Sequence, residues 1–368
     1  MESPYISLDV LFEILSRASL QTLGRGRVLS KECNNLTYGS KFMQLHCQRT
    51  STLSGCFIQS LVRNKHISTF VSSDNPHASR LINLDFLPHP VKIEACAKQG
   101  ILLCTTQYPQ QTEYYICKPT TKQWQVLPNP NPHYSTERIA IMVVASNPLR
   151  YKIVRFSKSD YYPKFHDSSP YNLHCEIFDS ENWTWKQSKD VNLPFYELLD
   201  FKPAISVSGA LHWKTNSSKI FSFDVEKQSW ELISLPKQLC QTECCKLVEY
   251  EGKMGLICLK KGHNMELWVR EGHSHRRKVL WSKRHGMDME GFEREEPLCW
   301  VEAFYNADIA VIKGFCKVIF YKFRNGDSDA VRVEKMFGNY HLFLYQSDWE
   351  PVNLMGKEHS RTLRQNRY

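Results

Sequence analysis

Two short stretches hold the side chains best suited to binding metal or acting as nucleophiles. "HSHRRK", His273 to Lys278, sets two imidazoles one residue apart beside three cations. That pattern suits a metal or an acidic peptide, although a solvated hairpin loop is its simpler use. "CQTECC" gathers Cys240, Cys244 and Cys245, but a structural zinc site closes with a second pair at matching spacing, and none follows. "GRGRVL" from Gly24 lacks the third glycine and the preceding strand of a dinucleotide loop. The sequence has no Walker loop, no G-x-S-x-G elbow and no H-E-x-x-H pair. The expectation is a protein with no catalytic, metal-ligating or cofactor-binding residues, one that acts by binding and is not an enzyme.

Composition narrows the setting. The 368 residues are 42% hydrophobic and include 9 Trp, 17 Tyr and 19 Phe, far from the low-hydrophobicity corner where chains fail to fold. No apolar run approaches the roughly 20 residues that span a bilayer, and Glu2 and Asp9 stand where a secretory signal needs a basic start and an apolar stretch. A nuclear or cytoplasmic location without membrane contact is expected. The 13 cysteines are then read as reduced, mostly buried thiols, since their number is odd and their spacing irregular. The net charge of +9 suggests nucleic acid only weakly, because it is blocky. Residues 260–285 hold eight Lys or Arg against two acids, while 287–296 hold five acids against Arg294 alone. Adjacent blocks of opposite sign read as solvated loops.

The elements that would position a binding surface fall into two textures. Up to about Cys47 the pattern is helical, with Ser7 placed to cap a first helix and Ser19 a second. In the first helix Leu8, Leu11, Phe12 and Leu15 share one face, and Val10, Ile14 and Ala18 share another. Two stripes exceed what one small core can bury, so one of them is expected to meet another molecule. From about Ile93 the chain consists of short β-branched and aromatic runs broken by turns such as "NPNP", "EGK" and "RNGD". Residues 48–92 read as a connector that supplies one or two strands. Four segments in the β region repeat as strand, polar turn, strand, with Trp124, Trp185, Trp230 and Trp281 entering the second strand at separations of 61, 45 and 51 residues. Such spacing suits propeller blades of about four strands each. Each Trp is expected to pack between neighbouring blades with its indole N–H on a carbonyl.

"ISLDVLFEILSRASLQTLGRGRVLSKECNNLTYGSKF" resembles the opening of plant F-box proteins through Ile6, Asp9, Val10, Glu13, Ile14, Leu15, Arg17, Val28 or Leu29, Lys31, Leu36 and Phe42. "GILLC", "YYICKPTTKQWQVLP", "VSGALHW" and "IFSFDVEKQSWELISLP" are similar to the F-box-associated domain. Together the two motif sets cover most of the chain. They divide it into an F-box at 1–47, a connector at 48–92, a β domain at 93–355 and a basic tail at 356–368. The implied fold is a small all-α set of F-box helices followed by a large all-β, kelch- or propeller-like domain. The implied role is substrate recognition in a Skp–cullin–F-box (SCF) ubiquitin ligase. In that role the first helices bind a Skp-type adaptor, and through it a cullin, while the β domain holds an unknown protein target. The residues implied to meet the adaptor are Ile6, Ser7, Leu8, Asp9, Val10, Leu11, Ile14, Leu15, Leu20, Leu23 and Val28.

The chain departs from the family pattern in places. Ser7 and Ser19 stand where the family has prolines, Cys33 replaces a Trp, and Gly24 and Gly26 fall inside the second helix. These changes predict weaker adaptor binding than the family norm. Two other readings stay open: a stand-alone β module for glycan, protein or nucleic acid, and a kelch-type copper oxidase whose convergent ligands spacing does not display.

Overall fold

The computed structural model describes residues 6–50, 52–72, 81–106, 112–159, 171–194, 197–236, 239, 244–260, 263–271, 280–297, 299–333 and 340–355. Four helices come first: α1 (Leu8–Leu15), α2 (Leu20–Leu29), α3 (Lys31–Thr37) and α4 (Ser40–Arg49). Serine hydroxyls start three of them. Ser7 accepts from Val10 N, Ser19 from Thr22 N and Ser30 from Cys33 N, each at 3.3 Å, so each serine satisfies an orphan donor of its helix. Leu15, Leu20, Leu23, Cys33 and Phe42 form the core of the bundle, with Phe12 edge-on to Phe42 at 5.4 Å. Arg49 ties the last helix to the first, donating to both carboxylate oxygens of Glu13 at 2.8 and 3.2 Å.

The remainder is a ring of six sheets. β1 (Leu53–Val62) and β2 (Lys65–Val71) form a hairpin. β3 (Val91–Ala97), β4 (Ile101–Thr106), β5 (Tyr114–Lys118) and β6 (Gln123–Leu127) make the next blade. β7 (Tyr134–Ser146), β8 (Leu149–Ser159), β9 (Tyr171–Asp179) and β10 (Thr184–Gln187) follow, with β11 (Val191–Leu193) also paired to β9. The fourth blade is β12 (Ile205–Val207), β13 (Ala210–Lys214), β14 (Lys219–Asp224) and β15 (Ser229–Ser234). The fifth is β16 (Cys244–Tyr250), β17 (Lys253–Lys260), β18 (Asn264–Glu271) and β19 (Leu280–Asp288). After the short helix α5 (Glu290–Glu295) comes the sixth: β20 (Trp300–Phe304), β21 (Ile309–Lys313), β22 (Lys317–Lys322) and β23 (Ser328–Arg332). Finally β24 (Tyr340–Ser347) pairs antiparallel with β1, from Leu53 opposite Ser347 to Ser60 opposite Tyr340. The last strand thus completes the first blade and closes a six-bladed β-propeller. Residues 48–92, read from sequence as a connector, hold β1, β2 and the start of β3.

Alternation of side chains explains how the ring is held. In β4, Ile101 and Leu103 face one neighbouring blade while Leu102 and Cys104 face the other, because successive residues of a strand point to opposite faces. A blade sandwiched between two others must therefore be apolar on both sides, and "GILLC" reads as a continuous run for that reason. Six such clusters fill the six spaces between adjacent blades. Close approach also needs Gly55, where a Cβ would stand 2.3 Å from Val71 O and 2.4 Å from the Phe70 ring.

The four repeated tryptophans all lie on the outermost strand of a blade: Trp124 on β6, Trp185 on β10, Trp230 on β15 and Trp281 on β19. Trp185 meets the expectation, lying between Tyr114 of the preceding blade and Phe178 of its own and donating to Pro128 O at 2.7 Å. Trp124 and Trp230 differ. Each keeps 36% of its surface exposed, because an edge strand has solvent on its outer side, and each covers one ring of its own blade, Tyr115 or Phe221, at 5.8 Å. The deeply buried tryptophan is Trp213 on β13, packed with Phe156, Phe221 and Phe223.

Candidate functional site

Helix α1 buries part of its apolar surface, but the division does not follow the two stripes read from sequence: Leu8 of the first is exposed, and Ala18 of the second packs against the bundle core. Leu15 is buried, and Leu11, Phe12 and Ala18 pack against the bundle core. The other side carries Ile6, Leu8, Val10 and Ile14, between 51% and 59% exposed, with Ser7 and Asp9 exposed among them. Four large apolar side chains, three on α1 and Ile6 just ahead of it, make a patch that packing among the described residues leaves open. Of the residues implied to meet an adaptor, Leu15, Leu20 and Leu23 are instead core residues of the bundle, 7% exposed or less, since four short helices need them to cohere. Leu11 is half-buried. Val28 is exposed but borders the central cavity, which no α1 residue does among the described residues.

Helices α2 and α3 contact the propeller, as does α4 through Cys47, whose Sγ lies 3.7 Å from Ser54 Oγ on β1. Arg25 donates to Asn147 O at 3.1 Å, a Cβ on Gly24 would stand 3.4 Å from Ser146 Oγ, and the Tyr38 ring lies about 3.1 Å from where a Cβ of Gly252 would be. Gly24 thereby serves close packing of α2 on the end of β7. Arg27 braces the pair, bonding Thr37 and stacking over Tyr38 at 4.1 Å. The bundle sits over one mouth of a central cavity of about 2290 Å³ that runs along the inner strands β3, β7, β12, β16, β20 and β24, with α1 turned outward.

Candidate chemistry elsewhere is sparse. His273 to Lys278, Cys240 and the basic tail at 356–368 lie outside the described residues, as does the side chain of Cys244. Cys245 Sγ lies 3.4 Å from Cys258 Sγ on the paired strand. Among the described residues no three His, Cys, Asp or Glu are grouped to hold a metal, and no helix is long and apolar enough to cross a membrane. Burial pushes the thiols of Cys96 and Cys175 up to about 12 and that of Cys299 to about 11, so they are poor nucleophiles at neutral pH. Of the basic block at 260–285, Lys260 and Lys283 both bond Glu266 and Arg284 bonds Glu271, which engages the two acids of that block.

Comparison with known proteins fits this geometry. Residues 56–341 match the family described as the F-box associated beta propeller domain. Over 189 residues the chain is 38% identical to F-box protein At5g41720 of Arabidopsis thaliana, covering 49% of this chain and 99% of that one. The chain belongs to the plant F-box proteins with an F-box-associated domain. A second relative, F-box protein At5g07610 of Arabidopsis thaliana, is 27% identical over 306 residues, 77% of this chain and 70% of that one.

In this F-box protein the family match begins inside β1, so the F-box-associated domain takes in the strands that sequence reasoning treated as a connector. Their signal was present in "LSGCFIQSLV", a run buried on both faces whose Gly, Ser and Gln blur its apolar character. A second group was missed altogether. Lys202, Lys246, Glu302, Lys313 and His341 border the cavity together, yet they are spread over 140 residues of sequence.

Proposed function

We propose that this F-box protein is the substrate-recognition subunit of an SCF-type ubiquitin ligase, acting in the nucleus or cytoplasm. The outward α1 patch of Ile6, Leu8, Val10 and Ile14 carries the reading, because an exposed helical stripe beside an intact core is suited to docking on a partner's helices. In this role the propeller holds the target and α1 holds a Skp-type adaptor. Catalysis then comes from proximity, since holding both raises the effective concentration of target lysines near the charged ubiquitin carrier. No residue of this chain touches the reacting bond. The burial that raises the thiols of Cys96 and Cys175 supports that division of labour.

The test is Ile14→Lys. A charge placed in a desolvated contact should cost at least about 2 kcal/mol of adaptor binding, while circular dichroism of the propeller stays unchanged. Capture of a recombinant Skp-type adaptor at wild-type level by the Lys variant would refute the α1 assignment. A reductant-sensitive ubiquitin adduct on any cysteine of this chain would make it an enzyme in its own right.

A further inference from the structure

The cavity has a second mouth, on the far side of the ring from the helices. The inner strands run the same way around the ring. Their C-terminal ends gather beneath the bundle, where Gln99 bonds Ser146, Lys98 pairs with Glu249 at 3.2 Å and Tyr38 approaches Gly252. Their N-terminal ends therefore surround the opposite opening, with Lys246 on β16, Trp300 and Glu302 on β20, and Tyr340 and His341 on β24. Lys313, at the end of β21, donates to Tyr340 O at 2.6 Å and lies over the Tyr340 ring. Lys202 lies over the Trp300 ring at 5.9 Å. The loop that carries Lys202 is anchored from β7, where Arg138 donates to Leu199 O and Asp200 O at 2.5 and 2.7 Å and stacks on Phe201.

Charge at this opening is lopsided. Among the described residues Lys202, Lys246 and Lys313 converge on the carboxylate of Glu302, which is bonded to Lys246. The acids nearby are engaged locally, Glu94 by Lys92 and Glu296 by Lys317 and the amides of Phe315 and Cys316. Burial lowers the Lys246 ammonium to about 8, against the attraction of Glu302 and with a smaller contribution from the repulsion of Lys202 and Lys313. The indole N–H of Trp300 is buried at the same opening and has no acceptor. Phe201 and Phe315 flank the opening at 86% and 45% exposure. A channel of about 2290 Å³ is several times larger than a small metabolite needs, whereas exposed rings beside convergent cations suit an extended chain bearing both acidic and apolar side chains.

We propose that this mouth recognises an acidic peptide segment, whose anionic groups settle among Lys202, Lys246 and Lys313 while an apolar neighbour lies against Phe201 or Phe315. The proposal rests on the receptor reading for its biological meaning and deepens it by naming the chemistry of the target. It places the target on the side of the ring opposite the helices, so both ends are occupied without a clash.

The experiment uses the full chain and fluorescence anisotropy with three labelled peptides: hexaglutamate, hexaglutamine and a phosphoserine-containing hexamer. At least one anionic peptide should bind and hexaglutamine should not, and the stronger of the two tells whether carboxylate or phosphate is read. Lys202→Glu, on a surface loop, should weaken that binding at least about tenfold. Glu302→Gln should tighten it by about threefold by removing a competing carboxylate, a direction that a purely structural role would not give. Lys227→Glu, remote and exposed on the β14–β15 turn, should leave it unchanged. Failure of both anionic peptides to bind, or an equal loss with Lys202→Glu and Lys227→Glu, overturns the site and reduces the effect to net charge. Adaptor capture by the same preparation is scored separately, so adaptor binding without peptide binding refutes this mouth and leaves the receptor reading standing.

Discussion

Lys118 is fully buried although it lies at the end of β5 beside a polar turn, and its ammonium is met by Asp348 and by Glu350 O at 2.6 Å. Nothing in "YYICKPTTK" announces a partner some 230 residues away. Removing one member of a buried pair strands the other, so Asp348→Ala should cost about 3 to 5 kcal/mol in urea unfolding, whereas joint replacement by Lys118→Met and Asp348→Leu should recover much of it. Full stability of the single variant would mean the pair contributes nothing. Glu266 makes a pH prediction. Burial pushes its carboxyl up, but hydrogen bonds from Lys260, Lys283 and Trp268 outweigh that and hold it at about 2 against an ordinary 4.5. A depressed carboxyl contributes stability that is complete above its ordinary value and lost as pH falls toward the folded one. Glu266→Gln should therefore flatten the decline of urea midpoint between pH 4.5 and about 2. An unchanged acid limb would show that another carboxylate controls it.

Elements were legible where local chemistry decides them. The hydroxyl caps of α1 and α2 follow from spacing alone, whereas the two stripes read in α1 are divided otherwise in the structure, which exposes Leu8 of the first and, past the helix end at Leu15, packs Ala18 of the second on the core. The tryptophan repeat located four outer strands, but spacing could not tell an edge strand from an inner one, so the burial of Trp124 and Trp230 was overestimated. The segment after β24 was read from sequence only as the end of the β domain at 93–355. In the structure it straps two blades: Gln123 exchanges bonds with the Val352 backbone at 2.9 and 3.0 Å, Tyr151 donates to Leu354 O at 2.8 Å, and Val352 and Leu354 join the core between those blades. A chain ending at Met355 should melt like the full chain, and one ending at Ser347 should lose several degrees or more, because it forfeits two buried apolar residues and exposes polar groups of β5, β6 and β8. Equal midpoints for the two truncations, followed by circular dichroism, would show that the strap contributes nothing.

At the scale of the whole molecule, closure explains both what sequence reasoning missed and what it could not have found. The lysines of the far mouth come from separate blades, and only the completed ring brings Lys202, Lys246 and Lys313 to one carboxylate. Closure in turn depends on the pairing of β1 with β24 across nearly the whole chain, and such long-range contacts leave no periodic trace in either strand. The sequence boundary at Ile93 expected a folded β domain from about Ile93 to Met355. The ring predicts otherwise. A chain starting at residue 93 lacks β1 and β2, so β24 becomes an open edge and the two clusters that contain Phe57, Phe70, Cys56 and Ile58 each lose one wall. A chain from residue 53 to 355 keeps all six blades and lacks only the helices. It should give a β-dominated spectrum and one cooperative thermal transition, while the 93–355 chain should aggregate or melt without cooperativity. Matching transitions for the two would show that five blades and a lone strand suffice, and that closure is not what holds the propeller together.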